Sequence, residues 1–294
     1  MNIQWYPGHM TKAKRAMQED VRLIDLLIEV LDARVPFSSR NPDIDELGKN
    51  KARMILLNKA DLASETVNDA WAAYFRARGI TVVKVNSKNG SGMKQIQSAV
   101  QESCREKIER DRRRGILNRP VRAMVVGIPN VGKSTFINSY AGKACAKTGN
   151  KPGVTKGNQW IRLNKQLELL DTPGILWPRF ENQEVGLHLA MIGSINDQIL
   201  NIEELALELL HFLAERYPQE VSSRYGISLS DLPGEDAQKT QSLEILNRIA
   251  AARGCLKRGQ DHDLEKASRI LIEDYRAGKL GRITLEFPPG EEEV

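Results

Sequence analysis

A nine-residue loop, GIPNVGKST (127–135), limits the possible folds of this chain more than any other feature of its sequence. It matches the pattern G-x-x-x-x-G-K-[ST] and lies between an apolar run, 121–126, and a helical pattern that continues to residue 141. A strand that passes through such a loop into a helix aims backbone N–H groups at a phosphate, at the positive end of the helix dipole. The sequence therefore predicts a P-loop at the end of a buried strand.

Several residues of this loop are suited to a nucleotide. The Lys133 ammonium can contact the β- and γ-phosphates, and the Ser134 hydroxyl can ligate Mg²⁺. The predicted nucleotide-binding residues of the loop are Asn130, Val131, Gly132, Lys133, Ser134 and Thr135.

A second motif, NKAD (58–61), follows another apolar run and indicates which base is bound. The Asp61 carboxylate can accept hydrogen bonds from N1–H and the 2-amino group of guanine. Adenine has neither donor, so ATP would leave a buried carboxylate unpaired at a cost of about 1–3 kcal/mol. The next apolar run ends in Asn86 and Ser87, which can complete the pocket. The predicted base-binding residues are Asn58, Lys59, Ala60, Asp61, Asn86 and Ser87.

Two further loops match the parts that sense the third phosphate. In DTPG (171–174), Asp171 can hold Mg²⁺ through a water molecule and the Gly174 N–H can meet the γ-phosphate. Thr155, in PGVTKG, is a candidate second hydroxyl ligand of Mg²⁺, although Thr148 lies in the same stretch. Because these contacts need the γ-phosphate, the loops should order with GTP and loosen after hydrolysis.

The pattern of apolar residues predicts two domains. Strand-like runs alternate with helical patterns, which is typical of a parallel sheet covered on both faces. The predicted strands are 25–33, 52–58, 80–86, 121–127, 159–163 and 167–171, with helices at 65–78, 92–112 and 132–141. From about residue 185 only helical patterns occur. We predict an α/β P-loop GTPase domain over 1–180, a smaller all-α, RNA-binding domain over 181–285 and a disordered tail over 286–294.

Charge and composition narrow the class of protein. Residues 1–180 contain 31 Lys and Arg against 17 Asp and Glu, which favours a polyanionic partner for this part. The sequence contains no long apolar run or secretory signal, so we expect a cytoplasmic protein without a membrane span. Cys104, Cys145 and Cys255 are too scattered for a disulfide framework or a zinc site.

The order of the motifs is unusual, because NKAD (58–61), which we call the guanine loop, precedes the P-loop. This is a cyclic rotation of the usual order, which a fold can tolerate since domain termini often lie close together. With WYPGHMTKA (5–13), DARVPFSSRNP (32–42) and DYRAGKLGR (274–282), the rotated order resembles the circularly permuted GTPases of the ribosome biogenesis GTPase A (YlqF-type) family. The resemblance extends over essentially the whole chain.

That resemblance implies a GTP-hydrolysing assembly factor for the large (50S) ribosomal subunit. Its implied partners are a large-subunit precursor, rRNA and ribosomal proteins, bound in a nucleotide-dependent way, and the ribosome would stimulate hydrolysis. We expect a monomer when the protein is free. The implied ligands are GTP or GDP and Mg²⁺, with K⁺ as a further candidate.

Hydrolysis must proceed without the glutamine of Ras-like enzymes, because Ile175 follows DTPG. Asn130 resembles the asparagine that coordinates K⁺ in cation-dependent GTPases, where the ion can replace an arginine finger. Lys133 is also a candidate for catalysis, since its ammonium can contact the γ-phosphate that is transferred. The resemblance also favours a role for His9, whose alternative is a structural or RNA-facing histidine. We expect slow turnover without a partner.

Other functions stay open at this point. A P-loop small-molecule kinase would not need NKAD. A tRNA-modification-type GTPase shares the Asn130 chemistry, but the sequence has no modification domain or reactive cysteine motif. A GTP-gated RNA-binding module is a third alternative. Candidate RNA contacts are Trp5 and Tyr6 with Lys12, Lys14 and Arg15, and the basic segments 104–119, 252–260 and 275–282. A solvated helix face is the alternative for segment 104–119.

Overall fold

A computed structural model of the protein describes residues 8–117, 119–146, 159–177, 180, 182–230, 238–257, 259 and 261–290. The chain forms two compact units. The sheet unit contains residues 4–181 and 286–294, and the helical unit contains residues 1–3 and 182–285.

The sheet unit is built around six strands. They are β1 (Leu26–Asp32), β2 (Ala52–Asn58), β3 (Thr81–Val85), β4 (Val121–Val126), β5 (Gln159–Arg162) and β6 (Leu167–Asp171). Their order in the sheet is β3-β2-β1-β4-β6-β5. All neighbouring pairs are parallel except β5, which runs antiparallel to β6. All seven residues of β1 are buried, because a central parallel strand is covered on both faces.

Helices of the sheet unit connect the strands, as the alternating pattern predicts. They are α1 (Gly8–Asp20), α2 (Asp43–Leu47), α3 (Glu65–Arg76), α4 (Ile96–Ser103), α5 (Arg105–Arg113) and α6 (Lys133–Ala141). Trp71 and Phe75 of α3 are buried against β1 and β2 in one apolar cluster. The predicted α/β fold with a following all-α part is confirmed.

One predicted helix, 92–112, is wrong in its extent. The chain forms a 3₁₀ turn at Met93–Gln95, then α4, and then a separate α5. Cys104 interrupts the two helices with φ −104° and ψ 14°, and it is buried. Helical spacing of apolar residues continues through the break, so the sequence pattern alone does not reveal it.

The helical unit contains the remaining helices. They are α7 (Gln183–Met191), α8 (Ile202–Arg216), α9 (Pro218–Tyr225), α10 (Gln238–Ala252) and α11 (Leu264–Arg276). Helices α8, α10 and α11 pack against one another. Arg276 donates to the Met191 and Ala190 carbonyls at the end of α7 and pairs with Asp197, so it serves this fold directly. Within the described part of the chain, no helix has the length and apolarity to cross a bilayer.

The predicted disordered tail is wrong at its first residue. Glu286 is buried, and its carboxylate accepts hydrogen bonds from the backbone N–H groups of Phe37 and Ser38. Its carbonyl accepts a hydrogen bond from the Trp71 indole. Residue 286 thus belongs to the sheet unit, because buried donors near α3 need these acceptors.

Candidate functional site

The parallel strands bring several loops to one edge of the sheet. β1, β2, β4 and β6 end at Asp32, Asn58, Val126 and Asp171, and the register places Asp32 beside Asn58. The loop after each carboxyl end therefore faces the same space, which is where ligands bind in open α/β sheets.

The P-loop packs tightly against the end of β2. Gly132 has φ +97°, and a Cβ on it would lie 2.4 Å from Asn58 Nδ2, so the close approach requires glycine. Asn130 has φ +62°, which few non-glycine residues adopt. Val131 is buried, and α6 begins at Lys133, so Ser134 and Thr135 lie in its first turn.

Asn58 joins the guanine loop to two other loops. Its Nδ2 donates to the Val131 carbonyl at 2.7 Å. Its Oδ1 accepts from the Ser87 backbone N–H at 3.1 Å and from the Ser87 hydroxyl at 2.8 Å. A single buried side chain thus holds together the guanine loop, the P-loop and the loop after β3.

Lys59 makes the second connection to the P-loop. It has φ +59°, and its ammonium donates to the Asn130 carbonyl at 2.9 Å and to Asp32 Oδ2 at 2.8 Å. Ala60, partly buried, follows in the same turn. The lysine therefore bridges two loops, whereas the sequence analysis predicts it only as a base-binding residue.

Asp32 is a residue of this site that the sequence analysis did not single out. It is fully buried, and the Arg34 guanidinium donates to its two carboxylate oxygens, each at 2.9 Å. Burial opposes ionisation of Asp32, but Arg34 and Lys59 hold its pKa well below the usual range. The signal was present, since an acidic residue ends a buried apolar strand in the same way as Asp171.

Asp61 is the carboxylate predicted to read the base. It lies in a 3₁₀ turn, Ala60–Leu62, and is exposed. None of the described residues donates a hydrogen bond to its carboxylate, so both oxygens are available. Across the pocket, Asn86 Oδ1 accepts from the Lys88 and Asn89 N–H groups and orders the loop after β3.

Lys133 and Asp171 are the charged pair at the phosphate end. The Lys133 ammonium is buried and donates to the Gly127 and Ile128 carbonyls, each at 3.0 Å. Burial lowers the pKa of Lys133 to about 8, although Asp171 raises it. Burial likewise raises the pKa of Asp171 to about 6, although Lys133 and the Thr172 N–H lower it. Both groups lie closer to neutrality than in water.

The DTPG loop lies directly on the P-loop. A Cβ on Gly174 would lie 2.8 Å from the Pro129 nitrogen and 2.9 Å from Lys133 Nζ. Ile175 follows and is buried, and its carbonyl accepts a hydrogen bond from Asn41. Its apolar side chain offers no group that could orient water. The structure therefore brings the predicted phosphate-sensing glycine to the predicted phosphate-binding lysine.

The donor set at this end suits Mg²⁺. Asp171 Oδ1 is buried and accepts no hydrogen bond from any residue that the structure describes. Mg²⁺ bound with nucleotide phosphates needs only one or two protein oxygens, which Asp171 and the Ser134 hydroxyl can supply. The described residues contain no cluster of three or more His, Cys, Asp or Glu suited to a metal. An ion held mainly by a nucleotide is consistent with this set.

Several predicted residues are covered only in part or not at all. Thr155 and Thr148, and the candidate RNA contacts Trp5 and Tyr6, lie outside the described residues. His9 lies in α1, and the buried side chain of the next residue, Met10, contacts the backbone N–H of Leu176 at 3.5 Å. The first turn of α1 therefore borders the segment that follows Gly174.

Comparison with known proteins agrees with this geometry. A family model for 50S ribosome-binding GTPases matches residues 122–222. Ribosome biogenesis GTPase A of Bacillus cereus is 47% identical over 288 residues, which cover 98% of this chain and 95% of that protein. GNP-bound YlqF of Thermotoga maritima is 28% identical with a TM-score of 0.63, over 95% of this chain and 99% of that one. A GDP-bound YlqF structure is 27% identical with a TM-score of 0.64, over 92% and 98%.

Proposed function

This chain belongs to the ribosome biogenesis GTPase A family of circularly permuted GTPases, and we propose that it binds and hydrolyses GTP to assist assembly of the large ribosomal subunit. The observation that carries this proposal is the junction of two motifs about seventy residues apart. Asn58 and Lys59 of the guanine loop donate to the carbonyls of Val131 and Asn130 in the P-loop. One nucleotide can therefore contact both loops.

Asp61 selects guanine in this proposal. Its exposed carboxylate lies in the turn that Asn58 and Lys59 fix against the P-loop. Guanine offers two donors to it, and adenine presents no donor in the corresponding places. Ser87, bonded to Asn58, supports the other wall of the pocket. The tRNA-modification-type alternative is not favoured, because the curated relatives are named for ribosome biogenesis.

At the phosphate end, the chain's own groups neutralise and orient the γ-phosphate. Lys133 supplies a buried positive charge, which interacts more strongly there than in water. Ser134 and Asp171 would hold Mg²⁺, with Thr155 as a further ligand, and the ion would neutralise charge on the β- and γ-phosphates when bound. Gly174 would donate its backbone N–H to the γ-phosphate.

Positioning of the attacking water needs groups other than residue 175. Asn130 offers an amide oxygen within the P-loop, a hard donor of the kind that K⁺ accepts, and we assign it to that ion. His9 is the candidate proton acceptor, because α1 borders the segment after Gly174. We expect slow hydrolysis in the free protein, because Ile175 stands where Ras-like enzymes have the glutamine that orients water.

The proposed partners follow from charge and family. We propose that the GTP-bound protein, a monomer in the cytoplasm, binds the rRNA and ribosomal proteins of a large-subunit precursor and leaves it after hydrolysis. Within 275–282, Arg276 is bonded to the end of α7 and Lys279 pairs with Asp274, so this basic segment also holds the helical unit together.

The test combines turnover with sedimentation. GTP hydrolysis would be measured with and without large subunits, in potassium and in sodium. Co-migration with large-subunit precursors would be measured with a non-hydrolysable GTP analogue and with GDP. We expect faster turnover with subunits and potassium, and co-migration only with the analogue. Equal turnover in all four conditions, with migration as free protein, would refute the proposal.

A further inference from the structure

A group of arginines at one side of the sheet unit has few acidic partners. Helix α5 ends in Arg112 and Arg113, followed by Arg114, and all three are exposed. None of them forms an ion pair with any residue in the described ranges. By contrast, Lys107 on the same helix pairs with Asp25 and Asp111. Unpaired guanidinium groups of this kind are available for an external anion.

Two further arginines, Arg119 and Arg122, lie at the amino end of β4. Arg119 Nη2 lies 3.7 Å from Asp25 Oδ1. The pKa of Asp111 in α5 is lowered, mainly by its hydrogen bond with Lys107 and also by the charges of Lys107 and Arg119. The backbone N–H of Arg122, at the start of β4, donates to the same Asp25. Asp25 thus joins the first turn of α5, through Lys107, to the amino end of β4.

Two arginines lie on the strands that flank β6, one on β4 and one on β5. Arg122 and Arg162 both lie opposite Glu168, one on each neighbouring strand. Arg122 also pairs with Glu168 at 3.1 Å, and Arg162 is exposed. One carboxylate between two guanidinium groups leaves a net positive face on this end of the sheet.

An exposed tryptophan lies in the same face. Trp160 of β5 is two residues from Arg162, so both side chains point to one side of the sheet. Its side chain is 41% exposed, and the Arg122 guanidinium carbon lies 5.3 Å from its ring centroid. A large indole left on an edge strand beside a cation is a ready surface for stacking.

We propose that this face binds single-stranded RNA, with guanidinium groups on the phosphates and the indole stacked on a base. This arginine–tryptophan surface consists of Arg112, Arg113, Arg119, Arg122, Arg162 and Trp160. It rests on the proposed function and adds a specific contact to it. A single strand fits because a base must leave its helical stack to reach the indole, whereas a duplex covers its base faces.

The surface is separate from the nucleotide phosphates. β4 carries Arg122 at its amino end and leads to the P-loop at its carboxyl end, about 16 Å away for five residues of strand. RNA and guanine nucleotide can therefore be bound by one molecule, and their affinities can be measured independently.

The experiment uses the full chain and a fluorescein-labelled oligouridine RNA of about 12 nucleotides, a length within the span of single-strand sites. Anisotropy titrations would compare wild type with Trp160→Ala and with Arg112→Glu/Arg113→Glu. We expect Trp160→Ala to weaken RNA binding at least about fivefold through lost stacking. The double arginine variant should weaken it about tenfold or more and reduce the slope of affinity against salt.

Matched controls separate this site from general charge and from misfolding. Arg78→Glu makes the same change in charge as each single arginine substitution, but lies beyond α3, next to β3, at the opposite end of the strand order. It should leave RNA affinity within about twofold of wild type. Trp160→Phe keeps a stacking ring and should recover most of the binding. All variants should bind GDP as wild type does, which confirms an intact sheet unit.

Unchanged RNA binding in both surface variants would overturn the proposal, as would wild-type protein that does not bind the oligouridine. Loss of binding to phosphatidylglycerol vesicles, with RNA binding intact, would assign the surface to anionic lipid and also overturn it. These outcomes differ from failure of the proposed function. Wild-type protein could still be stimulated by large subunits, which would leave the GTPase assignment in place while this surface is rejected.

Discussion

The side-chain amide of Asn58 donates a 2.7 Å hydrogen bond to the Val131 carbonyl, and so joins the guanine loop to the P-loop across 73 residues of sequence. The same side chain accepts two hydrogen bonds from Ser87. In a protein with the usual motif order, these loops follow the P-loop. Here the permuted chain reaches the same arrangement because β2 and β4 both flank β1 in the parallel part of one sheet.

Asn58→Ala should weaken both GTP and GDP binding. The substitution leaves the buried Val131 carbonyl and Ser87 N–H without their partner, at a cost of about 1–3 kcal/mol, or about 5- to 150-fold in affinity. Titration of a fluorescent GDP analogue would measure it. Asn50→Ala, at an exposed turn, is the control and should bind GDP normally. Equal affinities for the two variants would contradict the bridging role of Asn58.

Asp61→Asn should change base selectivity and leave the fold intact. The amide keeps one acceptor but places a donor where guanine also has donors, so GTP affinity should fall about 10- to 100-fold. Xanthine has a carbonyl in place of the 2-amino group, so xanthosine triphosphate should bind the variant better than the wild type does. Competition of the two nucleotides against a fluorescent analogue would show this. A variant that still prefers GTP as strongly as wild type would rule out Asp61 as the base-reading residue.

Asp32→Asn should destabilise the sheet unit by about 3–5 kcal/mol, because the buried Arg34 and the ammonium of Lys59 would lose their counter-charge. A lower urea midpoint for loss of tryptophan fluorescence would report it. Asp69→Asn is the control, since its ion pair with Lys84 is exposed and should contribute less than about 1 kcal/mol.

The same carboxylate predicts a pH dependence of stability. The folded-state pKa of Asp32 is depressed, so its contribution is present above the unfolded value of about 4 and is lost as pH falls through the folded value. Between pH 7 and pH 3, wild type should therefore lose more stability than Asp32→Asn. Parallel urea titrations at both pH values would test this, and equal losses would contradict the assignment.

Nucleotide affinity should decline as pH rises above about 8. Burial holds the pKa of Lys133 at about 8, and the phosphates bind its protonated form, so binding takes up a proton above this value. Affinity for GDP should fall by up to about tenfold per pH unit, which titrations from pH 7 to pH 9 would resolve. Lys133→Arg keeps its charge and should lose this dependence, even where its affinity is lower. A wild-type affinity that is constant to pH 9 would exclude this role of Lys133.

Gly174→Ala should reduce the preference for GTP over GDP. The added methyl group would lie 2.8 Å from the Pro129 nitrogen and 2.9 Å from Lys133 Nζ, so the DTPG loop must move away from the P-loop. GDP lacks the phosphate that Gly174 is proposed to contact, and its affinity serves as the internal control. We expect weaker binding of a non-hydrolysable GTP analogue, slower hydrolysis and near-normal GDP binding. An unchanged ratio of the two affinities would argue against the γ-phosphate contact.

The sequence by itself determined the local elements of this protein. All six strands were predicted. Five are short, mainly apolar runs that end at a polar loop, as in Leu26–Asp32 or Leu167–Asp171, whereas β5 has only Trp160 and Ile161 as apolar residues. The phosphate and guanine loops were also readable, since their chemistry depends on residue types at fixed local spacing. The fold class follows from this alternation of elements along the chain.

Only the tertiary structure decided which distant groups meet. The Asp32–Lys59–Asn130 connection depends on the order of strands in the sheet. The return of Glu286 to Phe37 and Trp71, and the break at buried Cys104, depend equally on packing. Such contacts are satisfied by partners tens or hundreds of residues away, and local spacing carries no information about which partner is chosen. The physical reason is that buried charges and backbone donors must be paired inside the fold, whatever their distance along the chain.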